Sequence, residues 1–131
     1  MKKVEFMSRK DTENATPSAD WAVISINGLD PARLQAGWND VLYLEFDDVD
    51  VEEAPFILFN KVHALQIAEF IHTCDDGGVE GILVHCHAGI SRSAAVAKWI
   101  AETYGLPFPS RCVLYNKHVY RVLRELDQPG Y

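Results

Sequence analysis

The chain has 131 residues, is 48% hydrophobic and carries a net charge of −7. One domain suits that length. The apolar fraction excludes a disordered chain, and the negative charge excludes general nucleic-acid binding, which needs a basic footprint.

No apolar stretch approaches the ~20 residues that span a bilayer. The opening MKKVEFMSRKD begins with lysines but has no apolar secretory core. The expectation is therefore one domain over residues 1–131, cytoplasmic, with neither membrane nor nucleic acid as partner. Cys74, Cys86 and Cys112 are an odd and sparse set, which fits free thiols in a reducing compartment rather than a disulfide scaffold.

In chain order, VEF reads as a short N-terminal strand and residues 8–20 as a long polar loop. WAVISIN (21–27) is apolar and β-branched, as a buried strand is. Asp30 and Pro31 form an N-cap and first-turn pair, which predicts a short helix in GLDPARLQAGW. VLYLEF (41–46) is a second interior strand. It runs into an acidic stretch, Glu45 to Glu53, most of which reads as a solvated loop. From Asn60 to Cys74 the apolar spacing becomes helical, with Val62, Leu65, Ala68 and Ile71 on one stripe and Ala64, Ile67 and Phe70 beside it. Asn60 caps that helix and CDDGG ends it. Residues 81–86 form a strand and 92–104 a helix stopped by Gly105 and Pro107. Ser110 would cap a last helix whose Val113, Val119, Val122, Leu123 and Leu126 face the core. Alternation of strand, loop and helix predicts an α/β fold with a central, mainly parallel sheet flanked by helices.

Between the last strand and the following helix lies HCHAGISRS (85–93). Ligands of open α/β sheets bind at the carboxyl ends of strands. A turn at Gly89 and the unpaired N–H groups of a helix start favour an anion there. Arg92 in the first helical turn is opposed by the helix dipole, and makes sense as a bidentate grip on that anion. Cys86 sits in the same field. Moving a thiol from about 8.5 to about 5.5 takes roughly 4 kcal/mol, at ~1.36 kcal/mol per unit. A helix terminus supplies only ~0.3–2 kcal/mol, so Arg92, the loop amides and the Ser93 hydroxyl must supply the rest. The product is a nucleophile already ionised. His85, Cys86 and His87 alternate sides in an extended segment and do not converge, so no metal or cofactor is expected. Cys74 and Cys112 read as small buried hydrophobes, and His63, His72 and His118 as helix-surface residues.

H-C-H-A-G-I-S-R-S resembles the H-C-x-x-G-x-x-R-S/T signature of cysteine-based protein tyrosine phosphatases, and its A-G-x-S-R-S form the dual-specificity branch. The resemblance runs from about Val41 to Leu126. It implies that Cys86 forms a phosphocysteine, and that Arg92 and the amides of His87, Ala88, Gly89, Ile90, Ser91 and Arg92 hold the phosphate oxygens. It further implies that Ser93 stabilises the thiolate and that His85 orders the loop. An upstream aspartate would be the general acid, and Asp47, Asp48 and Asp50 are the candidates. F-D-D directly after a strand resembles small members in which the second aspartate serves, which selects Asp48. Counting from the strand tyrosine selects Asp50. The interval from Asp48 to Cys86 is 38 positions, longer than in compact members.

The implied substrate is a phosphoprotein or small aryl phosphate, with phosphate or a similar oxyanion bound in the loop. Phosphotyrosine and, through a shallow pocket, phosphoserine or phosphothreonine would be accepted. The loop has no lysine of the kind inositide-directed members carry. Three other readings remain: a phosphate-binding interaction module, a rhodanese-like sulfurtransferase, and an arsenate reductase using Cys74 or Cys112 as the resolving thiol.

Overall fold

The structure, a computed structural model, describes residues 1–127. Four strands, β1 (Lys3–Ser8), β2 (Trp21–Asn27), β3 (Val41–Glu45) and β4 (Gly81–Cys86), form one sheet in the order β1-β4-β2-β3. All three pairings are parallel. Among the described residues four helices accompany them: α1 (Arg9–Asn14), α2 (Lys61–Asp76), α3 (Arg92–Tyr104) and α4 (Lys117–Glu125). This is the α/β fold with a parallel central sheet that the strand–helix alternation predicts.

Strand β4 has a neighbour on each side and is buried along its whole length. Ile82, Val84 and Cys86 join the main core with Ala22, Ile24 and Ile26 of β2 and residues of the helices. Leu83 and His85 alternate to the other face, as a strand requires. There α1 packs on β4, His85 bonds Ser25 of β2, and Leu83 lines a recess with Trp38. Coverage on both faces is what a parallel sheet needs.

Helix α3 starts where the β4 loop ends and runs through the core. Its run of small residues, Ser93 to Ala97, is fully buried. Gly105 closes it in the left-handed conformation at φ +66, and its amide bonds Ala101. Lys98 is the one charged side chain on the buried middle of α3. It lies over the rings of Phe108, Tyr115 and Tyr120, and its ammonium bonds Glu102 at 3.0 Å. The loop from α3 to α4 is thereby tied to the body.

Four expectations from the sequence are corrected. Segment 8–20 contains α1, capped by Ser8, whose hydroxyl accepts the Asp11 amide at 3.1 Å. Six residues without an apolar stripe offer no periodicity to read. The helix expected at Asp30–Pro31 does not form. Its amides have other partners: Ala32 donates to Asn27 Oδ1 at 2.9 Å and Arg33 to Glu13 Oε2 at 2.7 Å. Helix α2 is capped by Asn60 as expected and extends through Asp76, but it buries Ala64, Ile67, Ile71 and Cys74. Val62 and Leu65 face out, because several phases of apolar spacing were available and packing chose one. The last helix is capped by Asn116, not Ser110, and Val113 lies exposed in the preceding loop.

Candidate active site

The parallel register brings the carboxyl ends of β1 and β4 together, with Ser8 beside Cys86. After Cys86 the chain turns through His87–Ser91 into α3. The turn is braced from below, since the His87 carbonyl accepts the Arg9 amide at 3.1 Å. Gly89 sits at φ +74, and a Cβ there would lie 2.4 Å from the backbone of Met7 and Ser8. Only glycine meets both conditions.

Cys86 is 2% exposed, and its sulfur is the focus of two donors. The Gly89 amide donates to Sγ at 3.3 Å, and the Ser93 hydroxyl lies 3.1 Å away. Burial pushes the thiol up. The Ser93 hydroxyl and amide, the Gly89 amide and the Arg92 guanidinium together outweigh it and hold the thiol below its ordinary value. Cys74 shows the opposite case, with burial and the charge of Asp40 raising its thiol to about 11. Cys74 is packed in the core and Cys112 is half-buried in the α3–α4 loop; all three cysteines are free.

Arg92 is half-buried at the first position of α3. Its Nη1 donates to the Phe46 carbonyl at 2.8 Å, which fixes the guanidinium. Its Nε is buried without a hydrogen-bond partner among the described residues. An oxyanion held in the loop would meet such a donor.

His85 is fully buried on the far face of the sheet. Its Nδ1 lies 3.2 Å from the Cys86 carbonyl, which can only accept, so Nδ1 carries the proton. Nε2 then accepts from Ser25 Oγ at 2.6 Å, and Ser25 Oγ accepts from Asn27 at 3.0 Å. The register places Ser25 opposite His85. Desolvation pushes the imidazole down and keeps it neutral. The chain Asn27–Ser25–His85 holds the carbonyl from which the loop departs.

The acidic stretch divides among its members. Asp47 closes its own loop, its Oδ2 accepting the Ile57 amide at 2.7 Å. Asp48 Oδ1 accepts the Ser91 hydroxyl and the Asn116 amide, each at 2.8 Å. Of the three candidate aspartates, Asp48 is the one that meets the HCHAGISRS loop. Asp50 is exposed, as are Glu45, Glu52 and Glu53. Beside the loop opens a recess of about 390 Å³, with Asp48, Asp50 and Glu53 among its walls and Tyr115, Asn116 and Lys117 among the others.

A buried sulfur at the floor of a turn, a fixed guanidinium and a carboxylate tied to the rim have the composition of a phosphate-ester site. No family model matches this sequence. Over 92 residues, 70% of this chain, it is 35% identical to dual specificity protein phosphatase 15 of Mus musculus, and equally to that of Rattus norvegicus. The match to the Homo sapiens protein is also 35%. A solved structure, human tyrosine phosphatase-like serine/threonine/tyrosine-interacting protein, superposes with a TM-score of 0.60 at 21% identity, covering 94% of this chain and 95% of that one. This chain belongs to the cysteine-based phosphatase superfamily, in its dual-specificity-like branch. It spans 35% of the mouse and rat relatives and 28% of the human one, so it matches about a third of their length. The structural likeness bears on the fold.

Sequence reading of this phosphatase-like domain missed four contributors: Ser25, Asn27, the Phe46 carbonyl and Asn116. Asn116 had one local signal, a cap residue before an amphipathic run. His63 and His118 are half-buried rather than free on helix surfaces. His63 accepts the Asn60 amide at Nδ1, lies 3.1 Å from the Glu45 carbonyl at Nε2 and stacks on Phe59. His118 lies 2.8 Å from the Phe59 carbonyl. His72 is exposed, as expected.

Proposed function

We propose that this domain hydrolyses phosphomonoesters, phosphotyrosine and aryl phosphates first, through a phosphocysteine intermediate. The carrying observation is the Cys86 sulfur, buried yet supplied with the Gly89 and Ser93 donors. Cys86 thiolate attacks phosphorus, forming an S–P bond as the P–O bond to the leaving group breaks. Asp48 gives its proton to the departing oxygen. The loop amides from His87 to Arg92 and the Arg92 guanidinium hold the three remaining oxygens. Water then attacks phosphorus and Asp48 takes its proton. The S–P electrons return to sulfur, where Ser93 stabilises the thiolate, and phosphate leaves. No metal or cofactor takes part. The likeness to dual-specificity phosphatases supports phosphoserine and phosphothreonine as further substrates.

The test is hydrolysis of a chromogenic aryl phosphate across pH 4.5–8 in EDTA, with Cys86→Ser alongside. Metal-independent, bell-shaped activity lost in the variant supports the reading. Retained turnover in Cys86→Ser sinks it. The solved neighbour is itself named a phosphatase-like, interacting protein, which favours one second reading: a module that holds phosphorylated partners without turning them over. That reading predicts tungstate or phosphate binding in a wild type that shows no hydrolysis.

A further inference from the structure

A carboxylate on an exposed loop can sample many rotamers, whereas proton transfer to a leaving group demands one geometry. Asp48 is exposed, yet two donors converge on a single oxygen, Oδ1. One is Ser91 of the loop that turns around Cys86. The other is Asn116, 7% exposed and 68 positions away in the chain.

Each polar group of Asn116 has a partner. Its Nδ2 donates to Asp48 Oδ1 at 2.8 Å and to the Val49 carbonyl at 3.2 Å. Its Oδ1 accepts the Val119 amide at 3.0 Å, and its backbone amide donates to the Ser91 carbonyl at 3.1 Å. One side chain thus joins the acidic loop, the Cys86 loop and the start of α4.

We propose that Asn116, with Ser91, is the positioning residue of the general acid, fixing Asp48 Oδ1 so that Oδ2 carries the transferable proton. This rests on the reading of Asp48 as the acid. An amide nitrogen only donates, so Oδ1 is occupied as an acceptor in either state of the carboxyl group. The proton of the acid form therefore sits on Oδ2. Ser91 ties the same carboxyl to the loop that cradles phosphate, so acid and phosphate share one frame.

Two variants separate this role from the cap. Asn116→Ser keeps a good N-cap and loses the amide donor. Asn116→Asp keeps cap and shape but sets a carboxylate against Asp48, which favours the protonated pair. Turnover is measured across pH 5–8 on phenyl phosphate, whose leaving group needs a proton, and on a nitro-substituted aryl phosphate, whose leaving group needs it less. Asn116→Ser should lose about tenfold in kcat on phenyl phosphate and under about threefold on the activated ester. Asn116→Asp should move the basic limb to higher pH. Equal losses on both esters, with the limb unmoved in both variants, would overturn the positioning role while Asp48→Asn still abolished the limb. A limb that survives Asp48→Asn would overturn the acid assignment and this inference with it.

Discussion

Ser93 and Gly89 act on one sulfur, and their effect can be separated from burial. Burial opposes ionisation of Cys86, while the Ser93 hydroxyl and amide, the Gly89 amide and Arg92 favour it. A hydrogen bond to a charged acceptor contributes about 1.5–3 kcal/mol. Ser93→Ala should therefore move the thiol's inflection upward and slow alkylation by iodoacetamide at pH 6 by roughly tenfold or more. An unmoved inflection would mean that Ser93 only packs. The local residues of the site were legible because one strand–loop–helix passage carries them: Cys86, Gly89, Arg92 and Ser93 lie within eight positions. Asn116, Ser25 and the Phe46 carbonyl were not, since they reach the site from 68, 60 and 46 positions away from their partners.

At the scale of elements, the site depends on where α4 begins. Asn116 can reach Asp48 only if the α3–α4 loop is held, and Lys98 holds it. Its ammonium faces three aromatic rings and Glu102, and Glu102 in turn accepts from the Tyr120 hydroxyl. Lys98→Ala should cost about 1–2 kcal/mol through lost cation–π contact and lost packing of the aliphatic stem. Urea denaturation checks the value. On the proposed mechanism, the same variant should weaken turnover on phenyl phosphate more than on an activated ester, since the displaced part carries the support of the proposed acid, Asp48. Apolar spacing alone could not show this, because the anchor is a charge on an otherwise buried helix face.

Across the whole molecule, two histidines make the fold sensitive to mild acid. His63 and His85 are both held below the ordinary imidazole value of 6.5, chiefly by desolvation. Between their folded values and 6.5 the unfolded chain binds more protons than the native one, so stability rises with pH in that window. It is fully present above 6.5 and is lost as pH falls through the folded values. Cys86, also lowered, acts in the same sense over a window below about 9. Thermal melts in the Cys86→Ser background should therefore show Tm falling between pH 7 and pH 5. A flat profile there would mean that neither imidazole is held neutral by the fold.

Nearest-neighbour chemistry in the chain determined the succession of elements: β-branched runs made strands, a helix began after the turn, and a thiol, a glycine and a guanidinium fell within one strand–loop–helix passage. These are short-range properties, set by backbone periodicity and by residues close enough to share one turn. Tertiary structure decided the rest. It selected the buried stripe of α2, denied a helix to residues 30–38 by giving their amides to Asn27 and Glu13, and chose Asp48 over Asp47 and Asp50 as the carboxylate that meets the loop. Each of those outcomes is a competition for one hydrogen-bond partner or one packing face, and it is settled only when distant segments arrive together.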